Sequence, residues 1–138
     1  GGGTAVDRGI RIGLLSALLA CAAAGSVAAQ GPPAAGDTVS AEAVARGKAL
    51  YAGRGLCVAC HGREGEGGSI GPSLADSVWI HGSGRLADIR RIIRNGISAD
   101  SSESGQGMPP RGGAGLSDAE VEAVSAYIWS LGRPKAKP

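Results

Sequence analysis

Two cysteines three residues apart, with a histidine directly after the second, constrain this chain more than any other feature: Cys57-Val58-Ala59-Cys60-His61. Three chemistries compete for them: a covalently attached haem, a tetrahedral zinc ion, or a dithiol that cycles with its own disulfide. A structural zinc site needs four ligands. Once an N-terminal export segment takes Cys21 with it, the chain offers only Cys57, Cys60, His61 and His81. All four would have to be used, and a ligand next in sequence to another is poorly spaced for the usual chelate loops. A thioredoxin-like dithiol needs the pair at a helix start beside a βαβ sheet, and no strand pattern precedes Cys57. A plain disulfide leaves His61 unexplained. Haem accounts for every fixed position: each thiol adds to one vinyl group, and His61 is then held beneath the iron as an axial ligand.

Composition points the same way. A length of 138 residues suits one domain plus an extra segment. Hydrophobic residues make up 43% but aromatics only 3%, with no Phe, so the core is built mainly from Ala, Val, Ile and Leu. The 25 glycines add to the backbone entropy lost on folding. A domain with so thin a core gains from a large apolar ligand at its centre; haem would supply one and zinc would not.

Residues 1–29 read as a cleaved signal peptide. Arg8 and Arg11 form a basic start, Ile12 to Ala24 an apolar run, and Val27 and Ala29 offer small residues for cleavage before Gln30. An uncleaved anchor is the rival, disfavoured because Ala, Gly and Ser dominate the run and give little transfer energy. Lipidation at Cys21 is disfavoured by the bulk of Leu19. The expected location is the periplasm of a bacterium, and membrane contact would require that this segment be retained or lipidated. Its removal takes Arg8, Arg11 and Asp7 and leaves 12 basic against 11 acidic residues, a balance that gives no reason to expect nucleic acid as a partner.

A Pro/Gly/Ala linker follows over residues 30–38, and the folded domain is expected over 39–138. Ser40 can cap a helix that carries Val44, Gly47 and Tyr51 on one face and stops before Gly53. A second helix is expected from about Gly84 to Asn95, with Leu86, Ile89 and Ile93 as its apolar face and Gly96 as its stop. Ser117 and Glu120 form a capping box for the last helix, whose stripe of Val121, Val124, Ile128 and Leu131 ends at Gly132. The expected fold class is all-α, with three or more helices and long loops around one covalent haem.

The sixth position of the iron decides between an electron carrier and open-site chemistry. Met108 is the only methionine, and its neighbours are Gly, Gln and Pro rather than the apolar stripe in which a lone Met is ordinarily core filler. It sits in Gly-Gln-Gly-Met-Pro-Pro, flexible before the sulfur and rigid after it. His81 in Trp-Ile-His-Gly is the competitor; His/His ligation would also close the site, at a lower potential than His/Met. Met108 is preferred.

From about Ser40 to Leu131 the chain resembles a small class I c-type cytochrome domain. The matching residues are Gly47 to Tyr51 (GKALY), Cys57 to Gly62 (CVACHG), Gly71 to Leu74 (GPSL), Gly107 to Pro110 (GMPP) and the terminal Leu116 to Leu131. It is similar to single-haem domains found as free periplasmic carriers or attached to dehydrogenases and respiratory oxidase subunits. The resemblance implies Cys57 and Cys60 as thioether attachments and His61 and Met108 as axial ligands. It also implies that the Pro72 carbonyl fixes the His61 ring, and that Gly47 and Tyr51 cross the last helix near Tyr127. Trp79 would pack near the haem or reach a propionate. The absence of Phe departs from many members and leaves the aromatic role at that crossing to Tyr51 and Tyr127.

The function this implies is shuttling of electrons between periplasmic or membrane redox partners, a dehydrogenase or a respiratory oxidase, through one haem c. Two alternatives stand: a relay subunit fixed in such a complex, or a gas-binding or weakly peroxidatic haem protein if Met108 is not a stable ligand. No acid–base pair near the motif supports an enzyme, since Glu64 and Glu66 lie among glycines. Arg85, Arg90, Arg91 and Arg94 form either a docking patch or, as preferred, a solvated helix face balanced by nearby acids such as Asp88.

Overall fold

The computed structural model describes residues 1–3 and 37–133. Residues 4–29 of the expected signal peptide and 30–36 of the expected linker therefore lie outside the described residues. Among the described residues four helices carry the fold: α1 (Ala41–Ala52), α2 (Val58–His61), α3 (Leu86–Asn95) and α4 (Asp118–Leu131), with 3-10 turns at Ala99–Ser101 and Pro110–Gly113. Among the described residues there is no strand, only an isolated antiparallel bridge between Ile97 and Met108. The all-α class is thus observed.

Each long helix starts and stops for local reasons. The Ser40 hydroxyl accepts from the Ala43 amide at 3.1 Å, satisfying one of the orphan donors of α1. Pro72 and the glycines around it keep the segment after α2 in turns and bends until Leu86. At the end of α3, Gly96 takes φ +70 and its amide bonds the Ile92 carbonyl at 2.8 Å. The start of α4 carries the capping box in full: Ser117 Oγ accepts from the Glu120 amide, and the Glu120 carboxylate accepts from the Ser117 amide at 2.8 Å.

α1 crosses α4 at Gly47. A methyl group there would overlap the Ala123 carbonyl and crowd the Tyr127 Cβ, so the close approach requires glycine. One turn on, Tyr51 meets Tyr127 edge to face with ring centroids 5.2 Å apart, a geometry that adds roughly 0.5–1.5 kcal/mol beyond the area buried. α3 joins them through Ile89 and Ile93, which pack with Val121, Val124 and Ile128 of α4 and with Leu116. The Tyr51 hydroxyl donates to the Gly62 carbonyl at 2.8 Å and so ties α1 to the end of the cysteine motif. The packed core holds few large side chains, and a cavity lies beside it.

Candidate functional site

The motif folds as one turn of helix. Cys57 stands at the N-cap of α2 and Cys60 and His61 lie within it. Leu56, just before, takes φ +55, a left-handed conformation uncommon for leucine that turns the chain into the motif. Both cysteines are free thiols, partly buried. Burial, with a smaller push from a charge on Cys60, raises the Cys57 thiol to about 11. Little thiolate is then present at neutral pH, which disfavours the dithiol-exchange reading. Among the described residues no group of three or more His, Cys, Asp or Glu side chains is arranged to hold a metal ion.

His61 is buried to 9% exposure. Its Nδ1 lies 2.9 Å from the Pro72 carbonyl oxygen; since a carbonyl can only accept, Nδ1 carries the proton and Nε2 keeps its lone pair for a ligand. Gly71 presses on the same ring. A Cβ there would stand 2.9 Å from both His61 Nδ1 and Cε1, so only glycine lets the backbone cradle the imidazole this closely.

Cys57, Cys60, His61, Pro72, Trp79 and Met108, the six residues picked out in the sequence, all line one cavity of about 390 Å³. Its volume falls within the roughly 300–1,000 Å³ of ligand sites. Ile89, Ile92 and Ile93 of α3 and Ile128 of α4 extend its apolar wall, and His81 also borders it. Leu56, Ile70, Val78 and Ile80, the large hydrophobics left exposed among the described residues, line it as well. No lysine or arginine is among the described lining residues. The lining suits a largely apolar group: two thiols and an imidazole come from one helical turn, and a thioether comes from a separate loop.

Met108 is held more firmly than its small-residue surroundings suggest. Its amide donates to the Ile97 carbonyl and its carbonyl accepts from the Ile97 amide, both at 2.8 Å. Gly96 at φ +70 and Gly107 at φ +69 allow this pairing; a methyl on Gly96 would overlap the Met108 carbonyl, and one on Gly107 would stand 2.8 Å from the Ile97 carbonyl. Sequence reading takes Gly96 only as a helix stop, Gly107 as part of a loop and Gly71 as the start of the GPSL match without a role at the His61 ring, and it passes over Ile97. The signal was a glycine flanking each partner of the bridge, legible only once the pairing is known.

The arginine face of α3 is paired. Arg90 and Arg94 both reach Glu122 on α4, Arg94 at 2.9 Å, and Arg91 lies 3.4 Å from Asp88. Three of the four arginines thus have carboxylate partners, which favours the solvated, balanced face over a docking patch.

A helical shell around a cavity flanked by a Cys-x-x-Cys-His turn and a Met-Pro-Pro loop defines a class I c-type cytochrome domain. The fold matches that of cytochrome cL from the marine methylotroph Methylophaga aminisulfidivorans MPT, with a TM-score of 0.52 and 23% identity over 68% of this chain and 56% of that one. Residues 42–128 match the family model described as cytochrome c oxidase, cbb3-type, subunit III, and the chain belongs to that family. Among its relatives, the cbb3-type cytochrome c oxidase subunit CcoP of Azospirillum brasilense is 42% identical over 82 residues, 56% of this chain and 28% of that protein. The subunit FixP of Azorhizobium caulinodans is 38% identical over 87 residues, 63% of this chain and 29% of that protein. The chain thus matches under a third of the length of these relatives. Membership implies covalently bound haem c and electron transfer as the kind of work done.

Proposed function

We propose that this chain is an electron-relay domain of a cbb3-type oxidase, holding one haem c on the periplasmic side. In this reading Cys57 and Cys60 would hold the haem through thioether bonds, and His61 and Met108 would bind its iron. The observation that carries it is the imidazole of His61, fixed through Nδ1 by Pro72 and facing a cavity that Met108 also lines. When bound, the haem supplies a one-electron ferric/ferrous couple.

The chain's own residues do the rest. Pro72 and Gly71 hold the ring of His61, so that its orientation is set before any electron moves. The pairing with Ile97 holds the backbone of Met108, and two ligands that persist in both oxidation states keep reorganisation small. The isoleucines of α3 and the exposed apolar residues at the rim exclude water, which favours the less charged ferrous state. Trp79 packs in the cavity wall, and its indole N–H is a neutral donor suited to propionates in a lining without described lysine or arginine; His81 borders the same cavity.

A fixed relay is preferred over a free shuttle because CcoP and FixP are named as subunits of an oxidase. The periplasmic placement rests on the export-like segment and on the attachment motif.

The test has two parts. The reduced protein, matured in a host able to attach haem, should give a low-spin haem c spectrum that carbon monoxide leaves unchanged; a prompt shift would mean an open or labile sixth site and overturn the ligand assignment. Affinity purification of the tagged chain from its native membranes should bring down oxidase subunits in constant ratio. Recovery of the chain alone would return the reading to a free shuttle.

A further inference from the structure

The Met108 loop is tied at a second point, beyond the prolines. After Pro109 and Pro110 the chain reverses through three consecutive left-handed residues, Arg111 at φ +55, Gly112 at φ +66 and Gly113 at φ +75. Glycine is the ordinary occupant of that conformation, and an arginine there is strained. Its side chain accounts for its presence. Nη1 donates to the Leu116 carbonyl at 2.6 Å, and Nη2 donates to Asp118 Oδ1 at 2.7 Å. Leu116 is a buried core residue that also lines the cavity, and Asp118 is the first residue of α4. One guanidinium therefore fastens the segment after Met108 to the start of the helix that carries the core. The same segment abuts the cysteine motif, since a Cβ on Gly112 would lie 2.8 Å from the Gly55 carbonyl.

We propose that Arg111 is a positioning residue that holds the Met108 thioether at the iron, by clamping the Met108–Gly113 segment to Leu116 and Asp118. This rests on the reading of Met108 as an axial ligand. Backbone pairing with Ile97 secures the segment on its upstream side only. Without the arginine, the downstream side is held by Pro109 and Pro110 and by short turn bonds such as Gly112 N–H to the Pro109 carbonyl at 3.1 Å. The sulfur would then leave the iron more often while the helices stay in place. The fork geometry of guanidinium serves two acceptors in different directions, which the point charge of lysine does less well.

The experiment titrates the ferric holoprotein with free imidazole, which binds only when the thioether has left, so its apparent affinity reports the population of the open state. The long-wavelength absorption band of thioether-ligated ferric haem gives an independent readout. Arg111→Ala should raise the apparent imidazole affinity by about tenfold or more, the usual scale for loss of an outer-sphere partner. Arg111→Lys should fall between it and the wild type. Asp118→Asn, an exposed change that keeps an acceptor oxygen, should give a smaller rise and provides a test if Arg111→Ala fails to mature. Ser117→Ala, which loosens the same helix start without touching Arg111, should leave the affinity near wild type. If Arg111→Ala or Asp118→Asn binds imidazole as the wild type does, or Ser117→Ala matches Arg111→Ala, the clamp is overturned. A wild type lacking the thioether band would instead defeat the Met108 assignment itself.

Discussion

At the scale of single residues, glycines decide how closely the working parts approach. Gly47 is the contact point of α1 with α4, and Gly47→Ala must push the helices apart against the Ala123 carbonyl. Overpacking of this kind costs about 1–3 kcal/mol, which denaturant unfolding of the holoprotein should show as a lower midpoint with an unchanged absorption spectrum. Gly71 acts on the haem-facing histidine instead. Gly71→Ala would force the His61 ring away and weaken its bond to the Pro72 carbonyl. An imidazole without that acceptor is a poorer donor to ferric iron, so the reduction potential of the variant should rise relative to wild type. Potentiometric titration gives the answer; an unchanged potential would mean that the ring is held by something other than this cradle.

At the scale of elements, the start of α4 gathers a cap, an ion-pair network and the clamp on the Met108 loop. Loss of the cap in Ser117→Ala should cost about 1 kcal/mol, read from the same unfolding curves. Its acids also set the response to pH. Hydrogen bonds from Ser117 hold Glu120 below the ordinary carboxylate range, and the hydrogen bond from Arg111 does the same for Asp118. Both groups bind protons less readily folded than unfolded. Their contribution is therefore complete above the ordinary carboxylate range and is lost as pH falls through the depressed values. Glu120→Gln should be less stable than wild type at neutral pH, and the gap should narrow in acid; a gap that stays constant with pH would remove Glu120 from the account. These helices were legible because capping and period-3.6 patterning are local signals, as Ser40, Ser117 with Glu120, and the Leu86–Ile89–Ile93 stripe show. The expected helix from Gly84 begins at Leu86, with Arg85 as its cap position. The bridge between Ile97 and Met108 and the reach of Arg111 to Asp118 were not legible, because both depend on how a glycine-rich loop folds back on elements already packed.

At the scale of the whole molecule, what matters is how residues 37–133 arrange their helices beside one largely apolar cavity. The sequence carried this much in its composition: few aromatics, many glycines and a motif made for attachment. The structure gives it a physical form, a core of aliphatic and tyrosine side chains beside a largely apolar cavity of about 390 Å³. The apolar side chains that line it, Ile89, Ile92, Ile93 and Ile128 among them, lack packing partners on that side, and the net stability of a domain is only about 5–15 kcal/mol. A large apolar group seated there would supply those contacts, so attachment and folding are expected to be coupled. Replacing both Cys57 and Cys60 by Ala, which removes the tether, should leave a chain with some helix by far-ultraviolet circular dichroism, no fixed near-ultraviolet signal from Tyr51 and Tyr127, and no cooperative thermal transition. Adding free haem should restore only part of the order, since His61 and Met108 can still bind but the covalent hold is gone. A double variant that melts cooperatively at the holoprotein's temperature would mean that α1, α3 and α4 suffice as a core, and that the cavity is a tolerated void rather than the centre around which the chain folds.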